Sequence, residues 1–396
     1  MTAAAIIAVL ALAAWAVLLL GRGFFWLARD DDRDAESLPE PASWPAVAVL
    51  VPARDEAGTV GETVRSVLAQ DYPGPLRLLV VDDRSTDDTA AAARAAAGGD
   101  GRFALLAGGP RPPGWTGKLW ALRQGADAVA DDPAPFLLLT DADIRHAPDS
   151  LRSLVKRALA EKLALASLMV RLRCRSRAER WLIPAFVFFF GMLFPFRWVR
   201  DPGARTAAAA GGCVLLRRDA FAAAGGFAPI RGAVIDDCAL ARLMKARGPI
   251  WLGLTERAES LRPYPGVGDI RRMVARTAYA QLGHSPPLLA GAIAGLALVF
   301  FAPPLLLLFA EDAARIGGAL AWGAMALAYA PTLRRFGLSP WRAAALPAVA
   351  AAYALFTLDS ALAERRGRGG MWKGETNPKE DGGRSDAALH RATAAD

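Results

Sequence analysis

The stretch "LRLLVVDDRSTDDTAAAARAAA" (76–97) changes character twice. It opens as an apolar run, breaks at two aspartates and continues as alanines. A buried strand at 76–81, acids at its end and an alanine-rich helix capped by Ser85 or Thr86 account for that order. The plan recurs on both sides. "WPAVAVLVPARDE" (44–56) leads into "GTVGETVRSVLAQ" (58–70), where Val60, Val64, Val67 and Leu68 stand at helical spacing. "PFLLLTDADIRHAPDSLRSLVKRAL" (135–159) repeats it. Alternating strand and helix predicts an α/β fold, a mostly parallel sheet with helices on both faces. Ligands of such sheets bind beyond the carboxyl ends of the strands, where these acids would converge.

Around this core the composition is mixed. Of 396 residues, 54% are hydrophobic yet 22% are charged, which suggests a soluble domain joined to membrane segments. Residues 2–21 carry no charge before Arg22 and are long enough to cross a bilayer, which takes roughly 20 apolar residues. A cleaved signal peptide would need a basic start and a small-residue cleavage site, so 1–22 reads as an uncleaved anchor. Three more uncharged stretches, 285–310, 316–333 and 343–358, read as membrane helices within 285–363. "WLIPAFVFFFGMLFPF" (181–196), short and broken by prolines between Arg180 and Arg197, reads as an interfacial or re-entrant helix. Residues 364–396 form a polar tail, expected to be partly disordered. The net charge of +8 fits a partner membrane or an anionic substrate better than nucleic acid, for which no binding signature is present. Cys174, Cys213 and Cys238 show neither metal spacing nor a disulfide framework, which fits a reducing cytosol.

Asp87 and Asp88 are expected to be turn and cap residues, since aspartate favours both. Asp141 and Asp143 carry more. Residues i and i+2 leaving a strand point to one side, so both carboxylates can approach one hard cation, Mg or Mn, whose shell water and substrate phosphates complete.

"VLVPARDEAGTVGETVRSVLAQDYPGPLRLLVVDDRSTDDT" (49–89), "TDAD" (140–143), "AAGGCVLLRRDAFAAAGGF" (209–227) and "IDDCALARLMKARG" (235–248) together resemble, in order and spacing, the family 2 glycosyltransferases. The similarity runs from about residue 45 to 284 and implies a GT-A nucleotide-sugar-binding domain over 45–284. By that resemblance Asp82 and Asp83 would hold the uracil and ribose of a UDP-sugar. Asp143, helped by Asp141, would bind a divalent cation on the diphosphate. Pro52, Arg54, Glu56, Lys118, Asp141 and Arg276 would also contribute to nucleotide-sugar binding. Asp237 matches the catalytic base, with Asp236 where the family usually has glutamate.

Displacing a nucleoside diphosphate from an anomeric carbon needs a proton acceptor and a positive charge on the leaving group, which suits these residue types. Each also has a plainer reading. Asp236 could cap the helix containing Leu240, Leu243 and Met244, and Asp237 could complement its dipole. Lys118 either reaches the diphosphate or acceptor, or is a solvated lysine near a helix start. Gly211 and Gly212 either allow close backbone approach or form a turn. His284 is expected to be structural.

Where processive members carry Gln-x-x-Arg-Trp, this chain has Met273, Arg276 and Thr277, which implies transfer of a single sugar. "GWTGK" (114–118), "VARTAYAQL" (274–282) and "MWKGE" (371–375), with the anchor and membrane helices, resemble the hopene-associated glycosyltransferases. That narrower resemblance implies an inverting enzyme with a hopanoid or related polyisoprenoid lipid acceptor, multi-pass in the cell inner membrane. Arg22 and Arg29 place the domain toward the cytoplasm by the positive-inside rule. Three full C-terminal crossings would then put the tail outside, against the pull of Arg365, Arg366, Arg368 and Lys373, so one stretch is expected to be re-entrant. A membrane-bound nucleotidyl- or phosphotransferase could also use the Asp-x-Asp pair but leaves "IDD" unexplained. A transporter would bury ionisable groups in its spans, and these offer little beyond Asp359.

Overall fold

The computed structural model describes residues 2–367. "MWKGE" (371–375) and the tail from residue 368 lie outside the described residues. Eight strands form one sheet: β1 Val47–Ala53, β2 Leu76–Asp82, β3 Phe103–Ala107, β4 Phe136–Thr140, β5 Ile144–His146, β6 Leu165–Arg171, β7 Cys213–Arg217 and β8 Ile250–Ser260. Their order is β3-β2-β1-β4-β7-β6-β8-β5.

The three strand–helix repeats supply β2-β1-β4 of the parallel half, and β3, which the sequence reading did not single out, joins it beside β2. Beyond β4 the expectation of a mostly parallel sheet fails. β7 runs antiparallel to both β4 and β6, and β5 is antiparallel to β8, so the sheet is mixed. The cause is the connection: the chain leaves β6 on a forty-residue excursion (172–212) before returning as β7, and such a loop, unlike a βαβ crossover, does not impose parallel entry.

Helices α1 Ala3–Ala16, α2 Val60–Leu68, α3 Thr89–Ala97, α4 Gly117–Ala128, α5 Ser150–Ala160, α6 Arg177–Leu193, α7 Phe196–Arg200, α8 Arg218–Ala223 and α9 Asp236–Lys245 occupy the first part of the chain. Pleating sends alternate side chains of β1 to opposite faces. Val47, Val49 and Val51 pack with Val60, Val64 and Val67 of α2 and with residues of α3 and α5. Ala48 and Leu50 face α4, α6 and α9. α3 begins later than expected. Its cap position is Asp88, because Ser85 accepts the Asp55 amide and Thr86 donates to the Asp55 carboxylate, which commits both to tying the first two strand-end loops together. Asp87 and Asp88 are turn and cap residues, as expected.

α10 Val267–Ala275 and α11 Ala278–Gln281 precede α12 Pro286–Leu296, α13 Ala302–Phe309, α14 Asp312–Arg335 and α15 Leu346–Arg365. Among the described residues, four segments are long and apolar enough to cross a membrane: Ala3–Gly21, Pro286–Phe309, Asp312–Arg335 and Pro340–Arg365. They are not a separate body. Phe300, Met325, Tyr329 and Tyr353 share one buried cluster with α4, α6 and α9.

α6 makes that junction. A capping box between Ser176 and Glu179 starts it, and Phe188, 2% exposed, packs its ring on Phe25 and Tyr329. Phe189 meets Phe300 and Tyr353. Of the aromatics in the segment read as interfacial or re-entrant, Phe188 is buried by protein, whereas Phe186, Phe189 and Phe190 are only partly covered. The acidic linker after the anchor is pinned to β8: the Asp32 amide donates to the Leu254 carbonyl at 3.1 Å and Thr255 Oγ1 to Asp32 Oδ2 at 2.6 Å.

Candidate active site

Five chain segments meet at the carboxyl ends of β1 and β4 and form one crevice. Pro52, Lys118, Asp141, Gly211, Asp236 and Asp237 are among its lining residues.

The β1 and β2 loops form one wall. Asp83 is fully buried, its amide donating to the Ala53 carbonyl at 2.8 Å and its carboxylate facing Arg54 at 3.5 Å. Asp82 Oδ1 accepts the Ser85 amide at 3.1 Å. The two aspartates therefore do different work: Asp82 shapes the turn, whereas Asp83 is held beneath it by a cation.

Asp141 and Asp143 leave β4 on a backbone that is tied down on several sides. Thr140 Oγ1 donates to the Gly212 carbonyl and meets His146 Nε2, each at 2.9 Å, and Thr63 Oγ1 donates to the Ala142 carbonyl at 2.9 Å. His146 is buried, and burial lowers its pKa to about 4, so it serves this network as a neutral ring. The Leu261 amide donates to the Asp143 carbonyl at 2.7 Å.

Lys118 bridges the two acidic groups. A side-chain cap from Thr116 starts α4 and puts Lys118 in its first turn. Lys118 Nζ lies 2.8 Å from Asp141 Oδ1 and 3.4 Å from Asp236 Oδ2. Burial works against its charge, but the carboxylates of Asp141 and Asp236 outweigh that and raise its pKa above the ordinary lysine value. The reading as a solvated lysine is set aside.

Asp236 and Asp237 open α9, yet neither caps it, because Ile235 holds the cap position. The cap reading of Asp236 is thus corrected: its backbone is already helical and its side chain is turned to Lys118. Asp237 accepts from the Gly211 amide at 2.9 Å through Oδ2 and from the Cys238 amide at 2.7 Å through Oδ1. Burial pushes its pKa up to about 6, with the Asp236 charge adding and Lys118 opposing. Gly211 earns its place sterically. A Cβ there would stand 3.1 Å from Lys118 Nζ and 3.4 Å from Asp237 Oδ2.

Arg276, by contrast, is exposed at the end of α10. Its guanidinium makes no hydrogen bond or ion pair among the described residues, and only its backbone amide is engaged, donating to the Arg272 carbonyl at 3.2 Å. The His284 carbonyl accepts from Tyr279 Oη at 2.8 Å, and its ring packs edge-on against that tyrosine. One site residue escaped the sequence reading. Arg262 Nε donates to Asp143 Oδ2 at 2.7 Å, and its guanidinium also pairs with Glu56. Nothing local marks "SLRPY" (260–264); only the pairing of Ile144 with Ser260 carries it to the crevice.

The residues fit a hard divalent cation. Among the described residues no group of three His, Cys, Asp or Glu side chains forms a complete ligand cage. A Mg-type site does not need one, since one or two carboxylates with water and phosphate oxygens suffice. Asp141 and Asp143 are oxygen donors of the right hardness. Asp143 is buried, and burial and the Asp141 charge both raise its pKa, a strain that a dication beside the pair would relieve.

Residues 48–225 match the family model for glycosyl transferase family 2. The match supports a family 2 glycosyltransferase. An N-acetylglucosaminyltransferase of Mesorhizobium japonicum is 30% identical over 146 residues, which are 36% of this chain and only 32% of that relative's length. A solved mannosyltransferase from Pyrobaculum calidifontis, in complex with GDP-Man and Mn2+, superposes with a TM-score of 0.54. The identity is 21%, over 91% of this chain and 99% of the other. That likeness is one of fold, and the mixed sheet with its flanking helices is accordingly GT-A-like.

Proposed function

We propose that this protein is a membrane-bound, inverting glycosyltransferase that moves one sugar from a UDP-sugar to a lipid acceptor, a hopanoid or related polyisoprenoid. The observation that carries the reading is the meeting of Lys118, Asp141, Asp236 and Asp237 at one crevice, with Asp143 two residues beyond Asp141. The relatives are named for transfer of N-acetylglucosamine and mannose, which supports a nucleotide-sugar donor without naming this one.

In this reading Asp82 faces the nucleoside end, and Asp83, fully buried beneath it and held by Arg54, supports that wall. Asp143 and Asp141 would hold a Mg or Mn ion, which when bound supplies positive charge to the departing diphosphate. Lys118 adds a second positive charge between the diphosphate site and the base. Asp237 removes the acceptor's proton. Its raised pKa suits that task, since a base matched near the working pH is more effective than an ordinary aspartate. The Gly211 and Cys238 amides fix its carboxylate, so the proton acceptor is oriented before the acceptor arrives.

The apolar helices beside the crevice support a lipid acceptor and a membrane location, with the catalytic face toward the cytoplasm. Both ends of the last apolar segment touch catalytic-side elements. Arg342 donates to the Arg180 carbonyl at 3.2 Å and lies over Trp181, while Asp359 pairs with Arg271 at 3.3 Å and Ser360 bonds Ala275 and Tyr279. Since Leu346–Arg365 is one unbroken helix, this supports Pro340–Arg365 as the stretch that does not cross, lying along the catalytic face with Arg365 on that side.

A donor screen tests the function. Release of UDP from a UDP-sugar by the purified full-length protein is expected; release of pyrophosphate from a nucleoside triphosphate would replace glycosyl transfer with nucleotidyl transfer.

A further inference from the structure

The Asp143 carboxylate already has a counter-charge that belongs to the protein. Arg262 Nε holds its Oδ2 at 2.7 Å, and the other arm of the guanidinium holds Glu56, whose Oε2 also accepts from Thr59 Oγ1 at 2.8 Å. This is not a chance encounter of long side chains. β5 and β8 pair Ile144 with Ser260, and the Leu261 amide continues the ladder to the Asp143 carbonyl. Arg262 is therefore delivered to Asp143 by the sheet itself.

The two partners differ in freedom. The Asp143 side chain is 9% exposed, whereas that of Arg262 is 37% exposed. A buried carboxylate beside a second carboxylate needs a positive partner at all times, because leaving it unpaired costs several kcal/mol. The half-exposed guanidinium can swing into solvent at little cost, since its charge is rehydrated there. Two cations, one tethered and one diffusible, thus claim the same oxygen.

Resting on the proposed metal-assisted reaction, we propose that Arg262 is a built-in counter-ion that holds Asp143 and Glu56 while no divalent cation is bound and leaves Asp143 when one binds, so that this exchange sets the affinity for metal. Arg262 is a positioning residue in this scheme. It keeps the metal-free crevice folded and shaped, and it weakens binding of a bare cation.

The test is Mn2+ binding, with no nucleotide, to the full-length protein in detergent, followed through the electron paramagnetic resonance signal of free Mn2+. R262Q removes the competing charge, and about tenfold tighter Mn2+ binding than wild type is expected. R262K keeps the charge but loses the fork, and should fall between the two. Without metal, R262Q should melt below wild type and recover more of its melting temperature on adding Mn2+. If wild type and D143N differ in Mn2+ binding but R262Q binds no more tightly than wild type, the exchange is overturned while the metal site stands. Weaker binding by R262Q would make Arg262 a support that orients Asp143 for the metal, which also overturns it. If wild type binds no Mn2+ even with UDP-glucose present, the metal reading and the exchange fall together.

Discussion

Replacing Asp237 by Asn separates chemistry from shape. The carboxylate accepts two backbone amides, Gly211 at 2.9 Å and Cys238 at 2.7 Å. Asparagine has one acceptor oxygen, so it can satisfy only one of them; the other amide then faces an NH2 group. The expected cost is about 1–3 kcal/mol of stability, the usual penalty for an unpaired buried polar group. Donor affinity should survive, because neither oxygen is assigned to the nucleotide. Turnover should fall by about two to four orders of magnitude, the usual worth of a general base. The pH profile gives an independent reading. With its pKa pushed up to about 6, Asp237 is charged above that value and protonated below it. Single-turnover transfer by the wild type should therefore decline as the pH falls through 6, reaching about a tenth of its plateau one unit lower. That limb should be missing from the residual activity of the variant. The assays are donor binding by calorimetry, thermal unfolding and single-turnover transfer between pH 5 and 8. Near-normal transfer by Asp237→Asn, or the same acid limb in both proteins, would refute the assignment. A collapse confined to Asp236→Asn would move the base to its neighbour.

Asp143→Ala should lose metal-dependent transfer, and undiminished turnover of this variant in excess chelator would rule out a required cation on Asp143. Phe188→Ser should destabilise the protein by about 3–5 kcal/mol, the range for emptying a buried aromatic site; a variant with wild-type thermal stability and selectively impaired lipid transfer would instead return this ring to acceptor binding. A cysteine at Arg365, in a Cys174→Ser background whose other thiols, Cys213 and Cys238, are buried, should react with an impermeant thiol reagent from the side that bears the catalytic domain. Labelling from the opposite side would make Pro340–Arg365 a full crossing.

Much of the fold was legible in local pattern. Val60, Val64 and Val67 declared an amphipathic helix, and the three apolar runs ending in acids declared neighbouring parallel strands, because strand burial and helix periodicity are written in nearby residues. The mixed half was not legible. Whether β7 enters the sheet up or down depends on a forty-residue path through α6 and α7, not on the five residues of the strand. α6 shows the same limit: nothing in its aromatic, proline-broken sequence indicated that Phe188 would pack between Phe25 and Tyr329, from segments more than a hundred residues away.

Sequence alone determined the types of chemistry available: paired carboxylates at strand ends, a glycine pair, an acidic helix start and apolar segments long enough for a membrane. Those properties depend on composition and spacing within one element. The tertiary structure decided which of these groups act on one another. Lys118 lies between Asp141 and Asp236 because α4 and α9 converge on one crevice, and Ile235 rather than Asp236 caps α9 because the chain enters that helix one residue earlier than spacing implied. Arg262 reaches Asp143 only through the pairing of β5 with β8, strands more than a hundred residues apart. Charges meet by distance in space, and the energy of an ion pair falls with that distance whatever the separation along the chain.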